Sequence, residues 1–171
     1  ITCVACHGQD GNSINPIWPN IAGQHASYIF DQLKAFKNGL RNQPLMLGQV
    51  MLLTDSDMQN LAAYYSTMPQ ASQNLAQLDN LELGTKIYRG GNQKNGSSAC
   101  IACHGPTGKG NPAAKIPSIR GQHAVYLADQ LKLYASGERQ SDSPTNVMRD
   151  IAKKLTNDEI NAVSSYMQGL N

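Results

Sequence analysis

The chain has 171 residues, 15% of them charged and only 6% aromatic, with 15 glycines and 8 prolines. A net charge of +2, with no basic stripe interleaved with aromatic residues, excludes a nucleic-acid partner. No apolar run approaches the roughly 20 residues a membrane helix needs, and Ile1 leads directly to Cys3 without the regions of a signal peptide, as it also would in a secreted chain whose signal had been removed.

In chain order the first feature is Cys3-Val-Ala-Cys6-His7, followed by a Gly/Pro/Asn-rich stretch over about 8–22 that reads as irregular. After Gly23-Gln24-His25, apolar residues at Tyr28, Ile29, Leu33 and Phe36 share one helical face. The segment around Met46 reads as irregular. Thr54 with Asp57 forms a capping box, in which the hydroxyl caps an orphan amide and the carboxylate reaches back; it opens a helix to about Met68. A polar stretch from Pro69 to Asn80 leads into a further helix, Leu78 to Gly91, with a glycine stop.

The order then repeats. Cys100, Cys103 and His104 match Cys3, Cys6 and His7 at an offset of 97. At an offset of 98, Pro117, Gln122, His123 and Tyr126 match Pro19, Gln24, His25 and Tyr28, and Leu127, Leu131 and Tyr134 continue the apolar face. At an offset of 102, Thr156 with Glu159 repeats the capping box of a last helix ending near Gln168. Offsets that drift at Gly- and Pro-containing loops mark two divergent copies of one all-α fold, so two domains are expected, over 1–76 and 77–171. They differ in charge. Residues 1–78 hold three basic against four acidic side chains, and 79–171 hold eleven against eight, so the two ends should dock different surfaces.

All four cysteines lie in the two repeated motifs. Paired C-x-x-C units admit a structural zinc site, a thioredoxin-like redox pair or disulfides. The histidine directly after each pair narrows the field to c-type haem attachment. On one helical turn, Cys3 and Cys6, or Cys100 and Cys103, face the same way and can form thioethers with a porphyrin's vinyl groups. His7 or His104 then lies under the iron as proximal ligand. Each half is also too small and too poor in aromatics for a strong core of its own, and a covalent porphyrin supplies the missing apolar centre.

The sixth ligand decides function, because an open iron can do enzymatic chemistry and a closed one only carries electrons. Of six methionines, only Met46 and Met148 are methionine in both copies, each eight residues before its capping threonine. They are the favoured distal ligands, and a thioether raises the potential. The rival pair is His25 and His123, also matched by the repeat. A dihaem peroxidase or gas binder would need one iron without a strong sixth ligand, and a zinc or disulfide module would be colourless. Tyr64, Tyr65 and Tyr166 read as packing of the last helix of each copy against its haem.

Two C-x-x-C-H-G copies, P-x-I-x-G-Q before an amphipathic helix, a distal methionine and the terminal "SSYMQGL" resemble the dihaem cytochrome c4 family over essentially the whole chain. The resemblance implies a tandem of two class I cytochrome c domains, each with one haem c, facing each other about a pseudo-twofold axis. It implies that the carbonyls of Pro19 and Pro117 receive the proximal histidines' ring N–H. It also implies a non-enzymatic single-electron carrier of the bacterial periplasm, associated with the membrane surface. Such a carrier takes electrons from an upstream cytochrome or copper protein and delivers them to a terminal cytochrome oxidase. Class I domains pack a helix ahead of the haem motif against the last helix. Leu81 to Tyr88 supplies it in the second copy, and in the first copy a missing segment is expected.

Overall fold

The computed structural model describes residues 3–73 and 75–170. Nine helices run through them: α1 (Val4–His7), α2 (Ala26–Lys37), α3 (Pro44–Val50), α4 (Asp55–Ser66), α5 (Leu81–Gly90), α6 (Ile101–His104), α7 (Ala124–Ser136), α8 (Val147–Ala152) and α9 (Asn157–Gln168). Among the described residues there is no strand, only three isolated bridges. The all-α reading and the order of the two copies therefore hold.

Residue spacing explains the long helices. Helix α2 buries Ile29, Gln32, Ala35 and Phe36, and α7 buries Ala124, Leu127, Ala128, Leu131 and Tyr134. Steps of three and four keep these on one face. Both capping boxes form: Asp57 N–H and Glu159 N–H donate to Thr54 and Thr156 Oγ1, and each carboxylate accepts from its threonine N–H at 2.8 Å.

The segments around Met46 and Met148 are not irregular; they form α3 and α8, by different means. Pro44 stands at the start of α3 with its φ already helical, and Gln43 Oε1 accepts from Leu45 N–H at 3.0 Å. Helix α8 has no such cap. Asp142, five residues ahead of Val147, accepts from Arg149 N–H at 3.0 Å and from Arg149 Nε at 2.7 Å.

The largest apolar core lies in the second half, where α9 packs on both α5 and α7. Ile87 and Tyr88 from α5 meet Ile160, Val163, Tyr166 and Met167 from α9, with Leu127, Leu131 and Tyr134 behind them. Gly84 makes the close approach possible, since a Cβ there would lie 2.4 Å from the Ala162 carbonyl oxygen.

A polar seam joins the halves with near-twofold reciprocity. Arg41 donates to Gln32, Tyr126 and Gln130, and Arg139 donates to Gln130, Tyr28 and Gln32. Both guanidiniums are buried, so these contacts are shielded from competing water.

Candidate haem sites

Each site begins on one helical turn. Cys3 caps α1 and Cys100 caps α6, and each helix ends in its histidine, His7 or His104. Gly8 follows at φ +78°, where a Cβ would lie 2.2 Å from the Asn12 carbonyl oxygen. Only glycine lets the chain turn so sharply after the histidine. In the second half Gly110 N–H returns to the His104 carbonyl at 2.9 Å.

Both imidazoles are buried and fixed at one nitrogen. His7 Nδ1 donates to the Pro19 carbonyl at 2.9 Å, and His104 Nδ1 donates to the Pro117 carbonyl at 3.0 Å. That contact assigns the Nδ1–H tautomer and leaves Nε2, with its lone pair, as the coordinating atom. Burial holds His7 below the ordinary imidazole range, against the Pro19 hydrogen bond, and the Arg41 charge adds to the lowering. Burial does the same to His104 against the Pro117 bond. A neutral imidazole is the form that binds a metal.

The sulfurs argue against the rival uses of C-x-x-C. All four cysteines are free of disulfides. Among the described residues no three His, Cys, Asp or Glu side chains converge to hold a metal ion, so the two pairs do not assemble into a zinc site. Burial pushes the Cys100 thiol up to about 11, opposite to what a nucleophilic redox cysteine needs. Instead the sulfurs border apolar walls: Cys100 beside the second core, Cys3 beside Ile29, Ala62 and Tyr65. One imidazole nitrogen, two unpaired thiols and an apolar flank in each half form the donor set that a covalently attached haem requires.

The distal candidates are placed less symmetrically. Met148 is half-buried on α8 against the same core that Cys100 borders. Met46 is half-buried on α3, which packs on α2, but does not join the cluster beside Cys3. The rival histidines are engaged elsewhere. His25 Nε2 donates to the Lys109 carbonyl at 2.8 Å and His123 Nε2 to the Ser13 carbonyl at 2.7 Å, each across the seam to the loop after the opposite haem motif. A ring nitrogen spent on a carbonyl of the other half does not ligate iron.

A family model described as Cytochrome c matches residues 2–69 and again 82–171. The cytochrome c4 of Thiocapsa roseopersicina is 44% identical over 98% of this chain and 86% of its own length. That of Pseudomonas aeruginosa is 41% identical over 98% of this chain and 83% of its own. The chain belongs to the cytochrome c4 family. Reduced recombinant cytochrome c4 from Pseudomonas stutzeri superposes with a TM-score of 0.95 at 40% identity, covering 99% of this chain and 93% of that one. Membership makes this a tandem of two class I cytochrome c domains with two covalently bound haem c groups, an electron-transfer protein and not an enzyme, that works with redox protein partners. No helix among the described residues is long and apolar enough to cross a membrane.

Sequence reasoning missed the seam. Gln24 and Gln122 were visible as a repeated pair, but their roles were not. Arg41 and Arg139 also match at an offset of 98, and a polar residue kept in both copies of a divergent repeat was the available signal.

Proposed function

We propose that Cys3 and Cys6 tether one haem and Cys100 and Cys103 the other, in domains spanning 1–76 and 77–171. His7 and Met46 ligate the first iron, and His104 and Met148 the second. Each bound haem supplies an iron that takes up and releases one electron. Around it the chain orients the ligands and excludes water: Pro19 and Pro117 hold the imidazole planes, and the apolar flanks keep the surroundings of low polarity. The observation that carries this reading is the Nδ1-to-proline-carbonyl contact, present in both halves at nearly equal length. A haem held by His7 and Met46, or by His104 and Met148, would have no site left for a substrate, and the chemistry it would supply is the transfer of single electrons.

The protein works in the bacterial periplasm, at or near the membrane surface, between an upstream cytochrome or copper protein and a terminal cytochrome oxidase. Attachment chemistry of this kind outside the cytoplasm and the family resemblance support that placement. A purified oxidase that takes no electrons from the reduced protein would remove it as the partner.

Replacing each methionine in turn tests the ligand set. Met46→Ala and Met148→Ala should each abolish half of the methionine–iron charge-transfer absorption and lower one of two potentials by on the order of 0.1 V. Full absorption in either variant would show that the sulfur at that position is not a ligand.

A further inference from the structure

The seam reaches the proximal histidines directly. His7 donates to the carbonyl of Pro19, and the N–H of the next residue, Asn20, donates to Gln122 Oε1 at 2.9 Å. The Pro19 C=O and the Asn20 N–H are the two ends of a single peptide group. The second half repeats this: His104 donates to the Pro117 carbonyl, and Ser118 N–H donates to Gln24 Oε1 at 2.9 Å. Each glutamine closes its ring through the other amide atom, Gln122 Nε2 to the Asn20 carbonyl at 2.8 Å and Gln24 Nε2 to the Ser118 carbonyl at 2.7 Å. Each Oε1 is also held by the N–H of its own neighbour, His25 or His123. In both cases the peptide that holds one half's histidine is gripped by a glutamine of the other half.

A hydrogen bond at a peptide N–H polarises the group and makes its carbonyl a stronger acceptor. A stronger acceptor draws on the Nδ1 proton, raises the basicity of Nε2 and so favours the ferric state of the metal bound there. Asn20, Ser118 and Gln122 are all buried, so water does not dilute the effect.

We propose that Gln24 and Gln122 are positioning residues that act in trans: Gln24 sets the donor strength of His104, and Gln122 that of His7. The inference rests on the proximal-ligand reading above. It gives each iron a potential that depends on the other domain being docked. A glutamine that merely glued the halves together would affect both irons alike when lost, whereas a crossed device moves the iron of the opposite half.

The holoprotein variants Gln24→Leu and Gln122→Leu separate these cases. In Gln24→Leu the potential of the second iron should rise and the His104 Nδ1–H resonance should move upfield, reporting a weaker hydrogen bond, with the first iron unchanged. Gln122→Leu should give the mirror image at His7. Gln24→Glu keeps the acceptor and adds charge, so it should lower the second iron's potential more than the first's. Met46→Ala and Met148→Ala assign the two potentials. A shift in the glutamine's own half, an equal shift in both, or no shift in either overturns the proposal. If the leucine variants undock the halves, seen as an enlarged hydrodynamic radius, Gln24→Glu decides alone: equal movement at both irons refutes it. A wild-type spectrum without histidine–methionine iron would instead sink the ligand reading, before any variant is made.

Discussion

Tyr64 on α4 and Tyr166 on α9 occupy the same place in the two copies, yet Tyr64 is 57% exposed and Tyr166 only 8%. The residues are identical and both helices open on a capping box; what differs is the neighbour. Tyr166 lies against Tyr88 of α5, ring centroids 5.2 Å apart, and its hydroxyl accepts from Arg89 Nε at 3.1 Å. Among the described residues no helix covers the matching face of α4, where Leu53, Asp57, Asn60, Leu61 and Tyr64 line a cavity of about 420 Å³. Tyr64 is thus left open on that face, while its neighbour Tyr65 is buried. Burial of a residue is set by what packs on its helix, at about 1.5–3 kcal/mol for a large apolar side chain, more than by its place in a repeat.

A second contrast concerns the two methionines proposed as distal ligands. Four residues separate Arg41 from Met46, but eight separate Arg139 from Met148. The short link relies on Pro44 and is uncharged. The long one is closed by the Asp142–Arg149 pair at 2.7 Å, whose side chains are 7% and 16% exposed, where the first half has Leu47 in place of Arg149.

The largest expected effect follows from that clamp. Asp142→Asn leaves a shielded guanidinium without its partner and should destabilise the second half by roughly 3 kcal/mol. Met148's absorption band should weaken and Met46's should persist; equal loss at both would mean that the halves do not hold their methionines differently. Next is Gly84→Ala, which forces a methyl group onto the Ala162 carbonyl and should cost about 2 kcal/mol. Hydrogen exchange should then speed up in α9 and remain unchanged in α4. An unaltered α9 would show that α5 is not what buries it.

The smallest effects should be shared, because the capping boxes are. Thr54→Ala and Thr156→Ala should each cost about 1 kcal/mol in denaturant unfolding. Hydrogen bonds from the Thr54 side chain and then its backbone hold Asp57 below the usual carboxylate range. Burial pushes Glu159 upward, but hydrogen bonds from Thr156 and Asn92 outweigh it and lower it too. A carboxylate with a depressed pKa contributes stability that is complete above its unfolded pKa and lost as pH falls through the folded one. Acid unfolding below about pH 4 should therefore weaken both boxes, and a stability that is flat with pH in that range would contradict the geometry.

Much of the site was legible because its signals are local. The haem motif fits on one helical turn, the capping boxes span four residues, and the repeat isolates Met46 and Met148 by comparison alone. The short helices α3 and α8 were not legible. At six or seven residues, their apolar pattern is too brief to separate from a loop, and one of them is started by an aspartate five residues upstream. His25 and His123 read as caps or loop hydrogen-bonders sooner than as ligands, but which group they meet was not legible until the opposite half was in place to receive them.

By itself the sequence determined the duplication, the helical class and the attachment motifs, and it singled out the residues proposed to hold each iron, since all of these follow from spacing along one chain. Tertiary structure alone decided which tyrosine is covered, where the spare histidines donate, and that each proximal histidine is braced by a glutamine of the other half. Those outcomes depend on two surfaces meeting at hydrogen-bond distance, and no periodicity within one copy encodes the placement of the other.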